Sequence, residues 1–82
     1  MQMATKLDIQ NWIIDSLKRN NGSAYLVQVT KDIWLFHETD LRSSGDLFYP
    51  WQYDMRWAAN ALRRNGILKP ADVSPLRIWE LI

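Results

Sequence analysis

The segment WQYDMRWAANALRRNG, residues 51–66, sets Gln52, Arg56, Asn60 and Arg63 at intervals of four, four and three. At about 100° per residue these four share one side of a helix, while Trp51, Met55, Ala58 and Leu62 form an apolar stripe on another. Guanidinium and carboxamide groups are the side chains able to make two parallel hydrogen bonds to a purine edge, Arg to guanine and Asn or Gln to adenine. The chemistry expected here is recognition, with Gln52, Arg56 and Asn60 as candidate base contacts. Tyr53, beside that row, is a candidate phosphate contact. The same polar residues would suit any solvated helix face, so the surrounding elements must decide.

Other reactive groups are sparse. His37-Glu38-Thr39-Asp40 has the ingredients of acid–base chemistry, but the four are adjacent, and no nucleophile or second His accompanies them. Glu38 and Asp40 are expected to cap or solvate a turn. Asn21-Gly22-Ser23 fits a glycosylation pattern but reads better as a tight turn. With no Cys and one His, disulfides and thiolate metal sites are excluded and a zinc cluster has no ligand set. No cofactor, metal or catalytic activity is expected.

The elements that must hold the polar row can be traced along the chain. In TKLDIQNWIIDSLKRNNG, Thr5 and Asp8 form a shortened capping box and Ile9, Ile13, Ile14 and Leu17 gather on one side. Lys18 and Arg19 suit the negative end of that helix, and Gly22 stops it. Trp12 falls at the margin of the apolar arc and should cover an edge of the core. Gly22-Ser23-Ala24 offers room for a single ladder contact. A second helix follows over residues 25–36, where Leu26, Val29, Ile33 and Phe36 keep helical spacing. Residues 37–50 read as irregular, with turn chemistry at Ser43-Ser44-Gly45-Asp46 and Leu41, Leu47 and Phe48 pinning the loop. Pro50 then permits a third helix to begin, and Asn65-Gly66 ends it. Ile67-Leu68-Lys69 is expected as a short strand, residues 70–75 as a connector and residues 76–82 as a closing strand.

Eighty-two residues suffice for one small domain spanning 1–82, and five Trp give its core much apolar area per residue. The net charge is +1, with five basic against six acidic residues up to Pro50 and five against three after it. The positive excess therefore sits in the C-terminal part, where an electrostatic footprint for nucleic acid would lie. No membrane span or signal peptide is read in these residues, so a soluble, cytoplasmic protein is expected.

Three helices followed by a β-hairpin is the α+β winged helix-turn-helix order. The pattern resembles the winged-helix domain at the N-terminus of Mrr-type restriction proteins. Gly22-Ser23-Ala24 matches the turn after that domain's first helix, and Trp57-Ala58, Leu62, Arg63-Arg64 and Gly66 match its third. Trp79-Glu80-Leu81 matches its last strand. Two departures stand out: the tip PADVSP lacks the Gly that often shapes the wing, and no Asp…Glu-x-Lys cutting motif lies within these residues. The resemblance implies a DNA-binding or substrate-positioning module, linked to restriction, defence or transcription regulation, rather than an activity.

On this reading the third helix enters the major groove of double-stranded DNA, and Arg63, Arg64, Lys69 and Arg77 contact phosphates, Arg77 from beside the wing tip. Basic residues at a helix C-terminus also favour the macrodipole without any ligand. Trp57 is expected to pack on the wing or the first helix. The alternative function is a protein–protein interaction module without DNA contact, acting through Trp12 or Trp57. Its partner would be a second copy of this chain or a nuclease or effector chain.

Overall fold

Helix α1 (Lys6–Arg19) is the element on which the others converge. In this computed structural model, residues 6–43 and 51–82 are described. The capping residue Thr5 and the turn and loop residues 44–50 fall outside that set. Ile9, Ile13 and Leu17 of α1 are fully buried, and at about 1.5–3 kcal/mol per buried aliphatic side chain they are a main source of stability. The helix stops as the Asn-Asn-Gly sequence dictates. The Gly22 N–H reaches back to the Leu17 carbonyl at 2.6 Å and the Asn21 N–H to Lys18 at 3.3 Å. That pair of bonds needs a left-handed residue, and here it is Asn21, at φ 63°, followed by Gly22 at φ 94°.

Strand β1 (Ser23–Tyr25) leads directly into α2 (Leu26–Arg42). The second helix is longer than its spacing suggests, because it continues through His37-Glu38-Thr39-Asp40 to Arg42 with a kink at His37 (φ −130°, ψ 17°). The segment from 37 to 42 is thus helical rather than irregular. Val29, Ile33, His37 and Leu41 stand four apart. The two aliphatic residues before the kink and the one after it are fully buried. His37 keeps the row continuous by laying its ring flat on Trp12, centroids 4.0 Å apart and planes 7° from parallel. Trp12 is accordingly buried as part of the core, in keeping with its expected place at the core edge.

A polar knot joins α1 to α2. The buried Asp32 carboxylate accepts hydrogen bonds from Ser16 Oγ (2.8 Å), Asn20 Nδ2 (2.9 Å) and Gln28 Nε2 (2.8 Å). Burial by itself would raise the pKa of this carboxyl. The three hydrogen bonds and the nearby Arg19 charge outweigh burial and hold the pKa below its usual value.

Helix α3 (Trp51–Arg64) packs chiefly on α1. Trp51, Met55, Ala58 and Leu62 are buried as the apolar stripe requires, and Ala59 joins them. Trp51 also stacks on Trp34 of α2, centroids 6.2 Å apart. The Ile67 N–H bonds to the Leu62 carbonyl at 2.9 Å and the Gly66 N–H to Arg63 at 3.1 Å, closing the helix through Gly66 at φ 73°.

The sheet is antiparallel and two-stranded. Strand β2 (Ile78–Glu80) pairs with β1 in the register Ser23–Glu80, Ala24–Trp79 and Tyr25–Ile78. The segment 23–25 therefore makes a three-residue ladder, more than the single contact its length suggests. The expected strand at Ile67-Leu68-Lys69 contracts to one bridge, Leu68 to Leu81. It is flanked by bonds from Lys69 N–H to Glu80 O (2.9 Å) and from Ile82 N–H to Ile67 O (3.1 Å). The C-terminal segment thus lies between β1 and residues 67–69. The expected closing strand over 76–82 is likewise shorter, with Leu76 and Arg77 in a turn. The PADVSP tip forms a tight turn of its own, with the Val73 and Ser74 N–H groups both directed to the Pro70 carbonyl. No helix among the described residues is long and apolar enough to cross a membrane.

Candidate nucleic-acid interface

With the apolar stripe fixed on α1, the opposite side of α3 faces outward. Gln52, Tyr53, Arg56, Asn60 and Arg64 are all exposed there. The acidic residue of the helix, Asp54, is not beside them. It sits one turn from Trp51 and Ala58 on the packed side and is only 7 % exposed. A carboxylate that would repel phosphate from the flank of the polar row is therefore turned away from it. The outer face carries guanidinium, carboxamide and phenol groups and no acid.

The four expected phosphate contacts beyond Tyr53 differ in their freedom. Arg64 is exposed. Arg63 is half-buried, with Nε donating to the Lys69 carbonyl at 3.3 Å, which fixes the guanidinium at the junction of α3 with the segment after it. Lys69 Nζ lies 3.7 Å from Glu80 Oε2, so part of its charge is offset within the sheet. Arg77 is exposed and holds a left-handed backbone, φ 63°, a conformation that costs a non-glycine residue about 1–2 kcal/mol. Its carbonyl accepts the Leu26 N–H at 2.8 Å, which ties the turn before β2 to the start of α2.

That tie brings together two residues far apart in sequence. Arg56 and Arg77 line one open cleft of about 430 Å³ with Tyr25, Leu26 and Val27. Tyr25 and Val27 are exposed apolar neighbours that sequence patterning leaves unremarked, since neither belongs to a motif. Their only signal is position, at the junction of a strand with a helix.

Trp57 differs from expectation. It is 52 % exposed, and its ring meets Tyr53 edge-on at 6.1 Å, one turn back on the same helix. It forms an aromatic ridge beside the polar row.

The His37–Asp40 group lies on α2 rather than in a turn. Arg42 Nε donates to Glu38 Oε2 at 2.7 Å, and His37 Nδ1 stands 3.6 Å from Asp40 Oδ2 while its ring is committed to Trp12. No group of three or more His, Asp or Glu among the described residues is placed to hold a metal ion.

The chain matches no known protein family, no curated protein and no solved structure.

Proposed function

We propose that this protein is a winged helix-turn-helix module that binds double-stranded DNA, with the outer face of α3 in the major groove. The observation that carries the reading is the sorting of charge on α3. Arg56, Arg64 and the carboxamides of Gln52 and Asn60 face outward while Asp54 is packed away, so the exposed side is one that attracts phosphate and can read a base edge. Helix order and the short C-terminal sheet are compatible with such a module, and the resemblance to the N-terminal domain of Mrr-type proteins points the same way. Gln52, Arg56 and Asn60 face bases; Tyr53, Arg63, Arg64 and Arg77 serve the backbone, and Lys69 contributes less because Glu80 shares its charge. The protein acts by binding, in the cytoplasm, beside whatever chain performs chemistry on the DNA.

The test is fluorescence anisotropy of a labelled random-sequence duplex. Binding at about 50 mM salt should weaken more than about tenfold at about 200 mM, as release of counterions from several phosphates requires. An Arg56→Ala, Arg63→Ala double variant should lose it. No binding at either salt would remove the proposal.

The Tyr53–Trp57 ridge favours a second reading, docking of a protein on the same helix, since exposed aromatics are the usual anchors of such interfaces. Trp12 cannot serve it, because it is buried against His37. A mass that rises with concentration in wild-type protein, and no longer does so in Trp57→Ala, would support this reading over the first.

A further inference from the structure

We infer that the cleft between α3 and the turn before β2 holds a single phosphate of a nucleic-acid backbone, gripped by Arg56 and Arg77 together. The inference rests on the DNA-binding reading and alters it, because it moves Arg56 from base recognition to the backbone.

Two arginines from separate elements, Arg56 of α3 and Arg77 of the turn before β2, line this cleft, and its other lining residues, Tyr25, Leu26 and Val27, include no carboxylate. Neither arginine forms an ion pair with a carboxylate among the described residues, whereas Arg42 and Lys69 both do. Like charges lining one concave surface repel, and an anion placed between them removes that repulsion while gaining two charge-assisted sets of hydrogen bonds. Arginine suits the task because its planar fork fits the tetrahedral oxygens of phosphate. The walls fit the rest of a nucleotide. Tyr25 and Val27, each 63 % exposed, offer an apolar surface against which a sugar can pack.

The backbone supports the arrangement. Arg77 keeps its left-handed φ although its side chain is exposed, so packing of that side chain does not explain the residue type. The carbonyl bond to Leu26 N–H fixes where this turn sits, and the side chain departs from that fixed point. The first amide of α2 is thereby already bonded to the turn that carries Arg77.

Phosphate chemistry has two sources here, a duplex backbone or a free phosphorylated molecule, and one experiment separates them. Arg56→Gln, Arg77→Gln and the double variant are compared with wild type for duplex binding across a salt series. If both arginines grip one phosphate, each single variant loses about tenfold or more, and the double variant loses little beyond either single one. The salt slope then falls by about 0.9, the value for one phosphate. Losses that multiply, with a slope reduced by about twice that amount, would overturn the shared grip, as would no loss at all. If wild type binds no duplex, the DNA-binding reading fails separately. Inorganic phosphate titrated against the arginine Nε–H NMR signals then decides the cleft. Shifts at Arg56 and Arg77 would assign it to a free phosphorylated ligand, and unmoved signals would overturn the site.

Discussion

The Ser16 hydroxyl donates to the Asp32 carboxylate at 2.8 Å, a side-chain bond between α1 and α2 made inside the protein. With Asn20 and Gln28 it satisfies a carboxylate that would otherwise be costly to bury. Asp32→Ala should therefore lower unfolding stability by about 1–3 kcal/mol, measured by urea denaturation at neutral pH, because three donors lose their acceptor. A loss within experimental error would show that the network does not stabilise the fold.

The same carboxylate predicts a pH dependence. Burial raises its pKa, but the hydrogen bonds and Arg19 prevail and the folded value lies below the unfolded one. Above the ordinary carboxylate range, about pH 4, Asp32 is ionised in both states and its contribution is fully present. As pH falls below that range, the unfolded chain takes up the proton first, and the contribution fades as pH passes through the folded value. Thermal melts should show a steeper loss on acidification for wild type than for Asp32→Asn. Parallel acid limbs would contradict the assignment.

The Trp12–His37 stack fills a core position with an imidazole face. Replacing the ring with His37→Ala should cost about 1 kcal/mol or somewhat more, while His37→Phe should keep most of the stability, since a stacked aromatic pair supplies about 0.5–1.5 kcal/mol beyond its buried area. Equal losses in both variants would mean that the ring's polar atoms, not its face, matter.

How these positions look in sequence explains what could be foreseen. Helix α3 is legible from end to end because its apolar period is strict and Asn65-Gly66 is a clear stop. Helix α2 is legible only to Phe36. Its buried row passes through His37, a residue whose polarity conceals that its flat face can serve as core. Asp32 hides in the same way, because its burial depends on donors from α1 that the local pattern does not contain. Strand β1 depends on a partner more than fifty residues away, so three residues of unremarkable type gain their ladder only from the whole fold. The polar row on α3 was visible from spacing. The shared cleft of Arg56 and Arg77 was not, because it depends on where the turn before β2 lies.

Arg77 offers a test of whether its backbone conformation is retained for binding. Arg77→Gly relieves a left-handed residue, a gain of about 1–2 kcal/mol. Against this stands about 0.5–1 kcal/mol from the greater freedom of glycine in the unfolded chain. The variant should melt no lower than wild type and yet bind duplex more weakly. A lowered melting temperature would show that the Arg77 side chain stabilises the fold instead.

Gly66 ends α3 with φ 73° and has nothing within 4 Å of where a Cβ would stand. Gly66→Ala should thus cost only conformational energy, about 1–2 kcal/mol by chemical denaturation, without displacing neighbours. A larger loss accompanied by altered packing signals would refute that account of the turn.

The most direct test of the central claim is a two-dimensional amide and side-chain NMR titration of the protein with a short duplex. Binding through the outer face of α3 predicts shifts concentrated at Gln52, Arg56, Asn60, Arg64 and Arg77, with the Leu35–Phe36 surface of α2 unmoved. Shifts confined to α2, or none at all at duplex excess and low salt, would contradict it.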